Sequence, residues 1–136
     1  MITKMKTTKH IPAIMRLAEE KIPGATALLE YQLYRSIGSL TDLVLLDVRD
    51  EKLFGFLLAV VSYTSEGPQV SINSCVSNKG SLMANRGALG MVDSWAQRLG
   101  ISRMRAITTR NPGAFEKRYG FSLKSYVIVR DIPQEP

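Results

Sequence analysis

Two apolar runs, Leu43–Val48 and Leu53–Val61, are separated only by Arg49-Asp50-Glu51-Lys52. Short runs rich in aliphatic residues, joined by four polar ones, form an antiparallel hairpin. The longer run, Leu53–Val61, falls far short of the roughly 20 residues a membrane helix needs. A third strand follows, where Val70, Ile72, Ser74 and Val76 alternate after the turn Glu66-Gly67-Pro68. Any fold for this chain must be built around that sheet.

Helical periodicity surrounds it. From Thr8 to Glu20 the residues Ile11, Ile14, Met15, Leu17 and Ala18 recur at helical spacing, with Thr7 or Thr8 as cap and Pro12 in the first turn. Ile22-Pro23-Gly24 breaks the chain before a second helix, Ala25 to Ile37, which Gly38 ends. After the polar loop Ser77–Ser81, a helix over Leu82–Leu99 carries the stripe Leu82, Leu89, Val92, Trp95, Ala96 and Leu99 and stops at Gly100. Arg103–Thr109 reads as a strand, Pro112–Tyr119 as a short helix and Phe121–Ile132 as a closing strand or strand pair. The order is α-α-β-β-β-α-β-α-β in one domain spanning 1–136, without repeat or linker. A hairpin feeding a strand–helix–strand crossover gives an α/β fold of the α+β kind: a mixed, mostly antiparallel sheet with helices on both faces.

Composition removes several chemistries. The chain has one cysteine, Cys75, and one histidine, His10, too few for a self-contained zinc site or an internal disulfide. A Ser-His-Asp hydrolase would have to use His10, and no G-x-S-x-G elbow accompanies it. No apolar signal segment precedes Met15, so a soluble, cytoplasmic protein without membrane contact is expected. Eighteen Lys+Arg against twelve Asp+Glu leave a net charge of +6, which suits an anionic ligand. The positive residues are scattered and no aromatic–Arg interleaving marks a single-strand platform, which argues against nucleic acid.

The second half narrows the reading. Trp95-Ala96-Gln97-Arg98-Leu99-Gly100-Ile101 runs into Ser102-Arg103-Met104-Arg105-Ala106-Ile107. Asn111 follows, then Ala114-Phe115-Glu116-Lys117-Arg118-Tyr119-Gly120-Phe121, and last Val127-Ile128-Val129-Arg130-Asp131-Ile132. Together with Gly55-Phe56 in the hairpin, this ordered set resembles the GNAT N-acetyltransferase superfamily from Thr8 to Ile132.

The resemblance implies acetyl-CoA as cosubstrate, an amine of unidentified substrate or protein as acceptor, and no metal. It lays the pantetheine arm along the strand ending at Ser74, Cys75 and Val76. It sets the pyrophosphate on the loop Lys79-Gly80-Ser81-Leu82-Met83-Ala84, where free N–H groups and the helix dipole favour anions. That loop departs from the family pattern Arg/Gln-x-x-Gly-x-Gly/Ala by lacking the second glycine. Arg86, one turn further on, reaches toward the same phosphates. Arg86-Gly87-Ala88-Leu89-Gly90 also reads as a phosphate motif, but the unbroken stripe from Leu82 favours glycines that let the helix pack closely on the sheet. Asn111 stands where the family has an asparagine near the pantetheine, and it also reads as an N-cap before Pro112. Phe115 packs beside that site.

The family's catalytic tyrosine protonates the leaving thiolate. Its place here is Glu116, and Tyr119 sits just before Gly120, so both are candidate acids. The strand Val70–Val76 holds no carboxylate. A base then comes from Glu30, Asp47 or a water held by Ser74. Cys75 reads as buried and inert, with lining of the thioester pocket as the alternative. The second functional reading is a GNAT-like domain whose site has decayed and which binds a partner protein, as trimmed versions in bacteriophages would against a host. Oligomeric state stays open, a homodimer included.

Overall fold

A computed structural model describes residues 1–24, 26–78, 86–106, 130, 131 and 133. The elements run β1 (Ile2–Lys4), a 3-10 turn (Thr8–His10), α1 (Ile11–Lys21), α2 (Thr26–Ser36), β2 (Asp42–Arg49), β3 (Lys52–Thr64), β4 (Gly67–Ser77), α3 (Arg86–Arg98) and β5 (Met104–Ala106). The sheet order is β1-β2-β3-β4-β5, antiparallel except for the last pair, where β5 runs parallel to β4.

The hairpin expected from the two apolar runs is β2–β3. Its turn is two residues long, Asp50 and Glu51, both left-handed with φ of 50° and 63°. That twist matches the flanking strands. The next hairpin is equally tight: Gly67 and Pro68 belong to β4, paired with Thr64 and Tyr63, rather than to the turn. The sequence reading also began the chain with a helix, whereas the structure sets β1 before it, with Ile2 opposite Asp47 and Lys4 opposite Leu45. Three residues are too few to show a period of two, so β1 left no pattern to read.

The sheet is buried on both faces. Val44, Leu46, Phe56 and Leu58 pack with Ile14, Leu17, Leu29 and Leu33 of α1 and α2. Leu43, Leu45, Leu57, Ala59 and Val70 pack with Ala88, Val92, Trp95 and Ala96 of α3. Adjacent residues of one strand feed opposite cores, which is why β2 and the middle of β3 read as continuous apolar runs.

Helix ends follow the sequence signals. Thr7 accepts from the Lys9 amide ahead of α1, and Pro12 occupies the first turn. At the end of α3, Gly100 (φ +73°) donates to the Gln97 carbonyl while Ile101 donates to that of Ala96. This pair of bonds satisfies carbonyls the helix leaves over, and Ile101 turns back into the α3 core. No helix among the described residues is long and apolar enough to cross a membrane.

Candidate functional site

The last five residues of β4 form the described part of the site. Across β3, Ala59 pairs with Ile72 and Leu58 with Ser74, so Asn73 is an extra residue, a β-bulge. A bulge shifts the alternation of faces by one residue. Val70 and Ile72 face α3, but beyond Asn73 it is Cys75 that faces α3. Val76, opposite Phe56, joins the α1–α2 core, and Ser74, opposite Leu58, shares that face. The alternation of Val70, Ile72, Ser74 and Val76 in sequence would have put all four on one face. The bulge divides them.

Gly55 fixes where this strand end lies. A Cβ at Gly55 would stand 2.8 Å from the Val76 carbonyl oxygen and 2.8 Å from the Ser77 Cβ. Only a residue without a side chain lets β3 approach β4 there. One residue on, the Asn78 amide donates to the Phe54 carbonyl at 2.8 Å. The strand end is thus held from one side, along its whole length, by β3.

No family model matches the sequence, and no curated protein matches it in sequence. Solved structures do match. AAC(6')-Iy, in complex with the bisubstrate analogue CoA-S-monomethyl-acetylneamine, has a TM-score of 0.75 over 98% of this chain and 98% of its own, at 16% identity. The aminoglycoside 6'-N-acetyltransferase AAC(6')-Ih from Acinetobacter baumannii has a TM-score of 0.74 over 99% of both chains at 15% identity. A probable acetyltransferase has a TM-score of 0.67 over 100% of this chain and 99% of its own, at 16% identity. The chain has the GNAT acetyltransferase fold. At such identities the likeness speaks for architecture, which agrees with the mixed, mostly antiparallel sheet expected from the sequence.

Within the GNAT fold, three of the expected site residues are described with their side chains. Ser74, Cys75 and Val76 follow one another at the end of β4, with Ser74 and Cys75 half-buried on opposite faces and Val76 buried. Cys75 is therefore less enclosed than the sequence implied, packed against the margin of the α3 core. The phosphate loop Lys79, Gly80, Ser81, Leu82, Met83 and Ala84 lies outside the described residues, as do Asn111, Phe115, Glu116 and Tyr119. Arg86 is the first described residue of α3, and its side chain lies outside the description.

The candidate bases separate. Asp47 is buried and paired with Arg49 at 3.1 Å and with the Met1 amino group at 3.5 Å. Its place in β2, two residues beyond Leu45, turns it to the α3 face, away from Ser74. Glu30 is exposed on α2, and His10 is half-buried at the start of α1 with no side-chain capping bond. No group of three or more His, Cys, Asp or Glu that could hold a metal occurs among the described residues.

Sequence reasoning missed the bulge at Asn73 and the close approach at Gly55. The second left a trace, since a glycine inside an apolar strand signals close backbone contact. Close packing on the sheet is expected from the sequence at Gly87 and Gly90, yet a Cβ at Gly90 would meet no described atom within 4 Å. The α3 residues buried against the sheet are Ala88, Val92, Trp95 and Ala96.

Proposed function

We propose that this chain is an acetyl-CoA-dependent N-acetyltransferase, working as one domain. The observation that carries the reading is the match over 98% of both chains to AAC(6')-Iy bound to a CoA bisubstrate analogue, joined to a β4 end that is bulged and held by Gly55. In the reaction an amine nitrogen attacks the thioester carbonyl carbon, the C–S bond breaks, and the thiolate takes a proton. A strand end held rigid on one side is a template along which an extended pantetheine arm can align, and backbone N–H groups there would polarise the carbonyl. Lys79 to Ala84, with Arg86, would receive the pyrophosphate, and Asn111 and Phe115 would flank the arm. Tyr119 or Glu116 would protonate the thiolate. Ser74, turned toward the α1–α2 face, would hold a water that accepts the amine proton.

The neighbours' aminoglycosides find no support as acceptors here. They are polycations, this chain carries +6, and Ser71–Ser77 contains no carboxylate to attract them. The acceptor class proposed is simply an amine.

A thermal-shift titration with acetyl-CoA and with free CoA tests the reading. A ligand that binds only the native state raises stability by RT ln(1 + [L]/Kd), about 2.7 kcal/mol at a hundredfold excess over Kd. Both ligands should raise the melting temperature, and Gly80→Val should suppress the shift while leaving the unliganded transition in place. Absence of any shift at millimolar ligand would sink the proposal.

A further inference from the structure

A cleft of about 430 Å³ opens between α3 and the β1–β2 edge of the sheet, the edge opposite β4 and β5. Leu43 and Trp95, both buried, form its apolar floor. The exposed Lys4 of β1 and Arg98 of α3 stand on its rim with Ser94, and Gly90 also lines it.

Three observations point to a ligand. The first is charge. Lys4 and Arg98 come from elements distant in sequence and converge on one cleft, and neither forms an ion pair with another described residue. Two like charges at one opening repel each other, and an anion between them turns that repulsion into attraction.

The second is Gly90. Glycine inside a helix is less stable than alanine by roughly 0.5–1 kcal/mol. Among the described residues nothing requires it, because an added Cβ would meet none of their atoms within 4 Å and the backbone there is not left-handed. Gly90 lines the cleft, and the space where its side chain would stand is unfilled by any described residue.

The third is the pairing of an apolar floor with a cationic rim. Clefts of several hundred cubic ångströms that are mostly apolar, with a few converging polar groups, are where small ligands bind. Indole and isobutyl side chains suit a flat apolar body, and the ammonium and guanidinium groups suit an anionic head.

We propose that this cleft binds a small organic anion, its phosphate or carboxylate head between Lys4 and Arg98 and its apolar body on Trp95 and Leu43. The sequence Arg86-Gly87-Ala88-Leu89-Gly90, which reads as a phosphate motif, would then owe its second glycine to this site.

Trp95 is the chain's only tryptophan, so its fluorescence reports directly on the cleft. The full chain is titrated with phenyl phosphate and with benzoate, and with inorganic phosphate and phenol as half-ligands. The expected result is a saturable change with phenyl phosphate or benzoate, at least tenfold weaker with either half-ligand. Gly90→Leu should abolish it by filling the cleft, and circular dichroism should show an intact fold. Lys4→Gln and Arg98→Gln, both at exposed positions, should each weaken binding roughly tenfold, the usual effect of losing one charged hydrogen-bond donor. No saturable change in the millimolar range would overturn the proposal. So would a response that persists in Gly90→Leu and both Gln variants, or one that inorganic phosphate reproduces at equal affinity.

Discussion

The hydrogen atom that Gly55 carries in place of a side chain sets the position of the whole β4 end. With the Val76 carbonyl oxygen and the Ser77 Cβ both 2.8 Å from where a Cβ would stand, alanine must push β3 and β4 apart. The opposing atoms are backbone or next to it and cannot rotate out of the way. Gly55→Ala should therefore lower stability by about 1–3 kcal/mol, the usual range for overpacking a tight site, measured as a shift of the urea midpoint at constant slope. It should also weaken CoA binding beyond what the stability loss explains, because the displaced backbone is the proposed pantetheine template. An unchanged midpoint would mean that the strands part at no cost, and the rigid-template argument would fall with it.

At the scale of elements, the chain shows which patterns a sequence displays and which it hides. Helices α1, α2 and α3 were legible because each repeats a helical period over eleven residues or more, and the hairpin β2–β3 because two long apolar runs flank a short polar turn. β1 was not, with three residues, and the Asn73 bulge was not, because Ser74 and Cys75 are small enough to suit either face. The expected phosphate loop, Lys79–Ala84, rests on its distance from Gly100 and the family pattern, and it lies outside the described residues. Gly90 inside α3 and Gly100 just beyond its end make opposite contributions. Gly100 adopts φ +73°, where a Cβ is strained, while Gly90 occupies ordinary helix with open space around it. The same substitution should thus have opposite signs. Gly90→Ala should raise stability by about 0.5–1 kcal/mol, and Gly100→Ala should lower it by about 1 kcal/mol through the left-handed penalty. Equal effects in chemical denaturation would contradict this assignment of roles.

For the molecule as a whole, two cores fill the opposite faces of one sheet, and the proposed place for chemistry is the strand end of that sheet. Charge then acts on what arrives there. A net charge of +6 produces a field that draws anions toward the protein from any direction, and salt screens that field over about 8–10 Å at physiological strength. CoA carries several negative charges on its phosphates, whereas pantetheine, which shares the arm proposed to lie along β4, carries none. If the phosphates are held by Lys79, Arg86 and the general field, CoA affinity should fall steadily as salt rises from tens to hundreds of millimolar. Pantetheine affinity, weaker throughout, should stay nearly flat. The comparison separates the two halves of the proposed site, since the strand template contributes equally to both ligands and cancels in their ratio. Calorimetric titrations at three salt concentrations suffice. A CoA affinity as flat as that of pantetheine would show that the phosphates extend into solvent, leaving the β4 end to hold the cosubstrate alone.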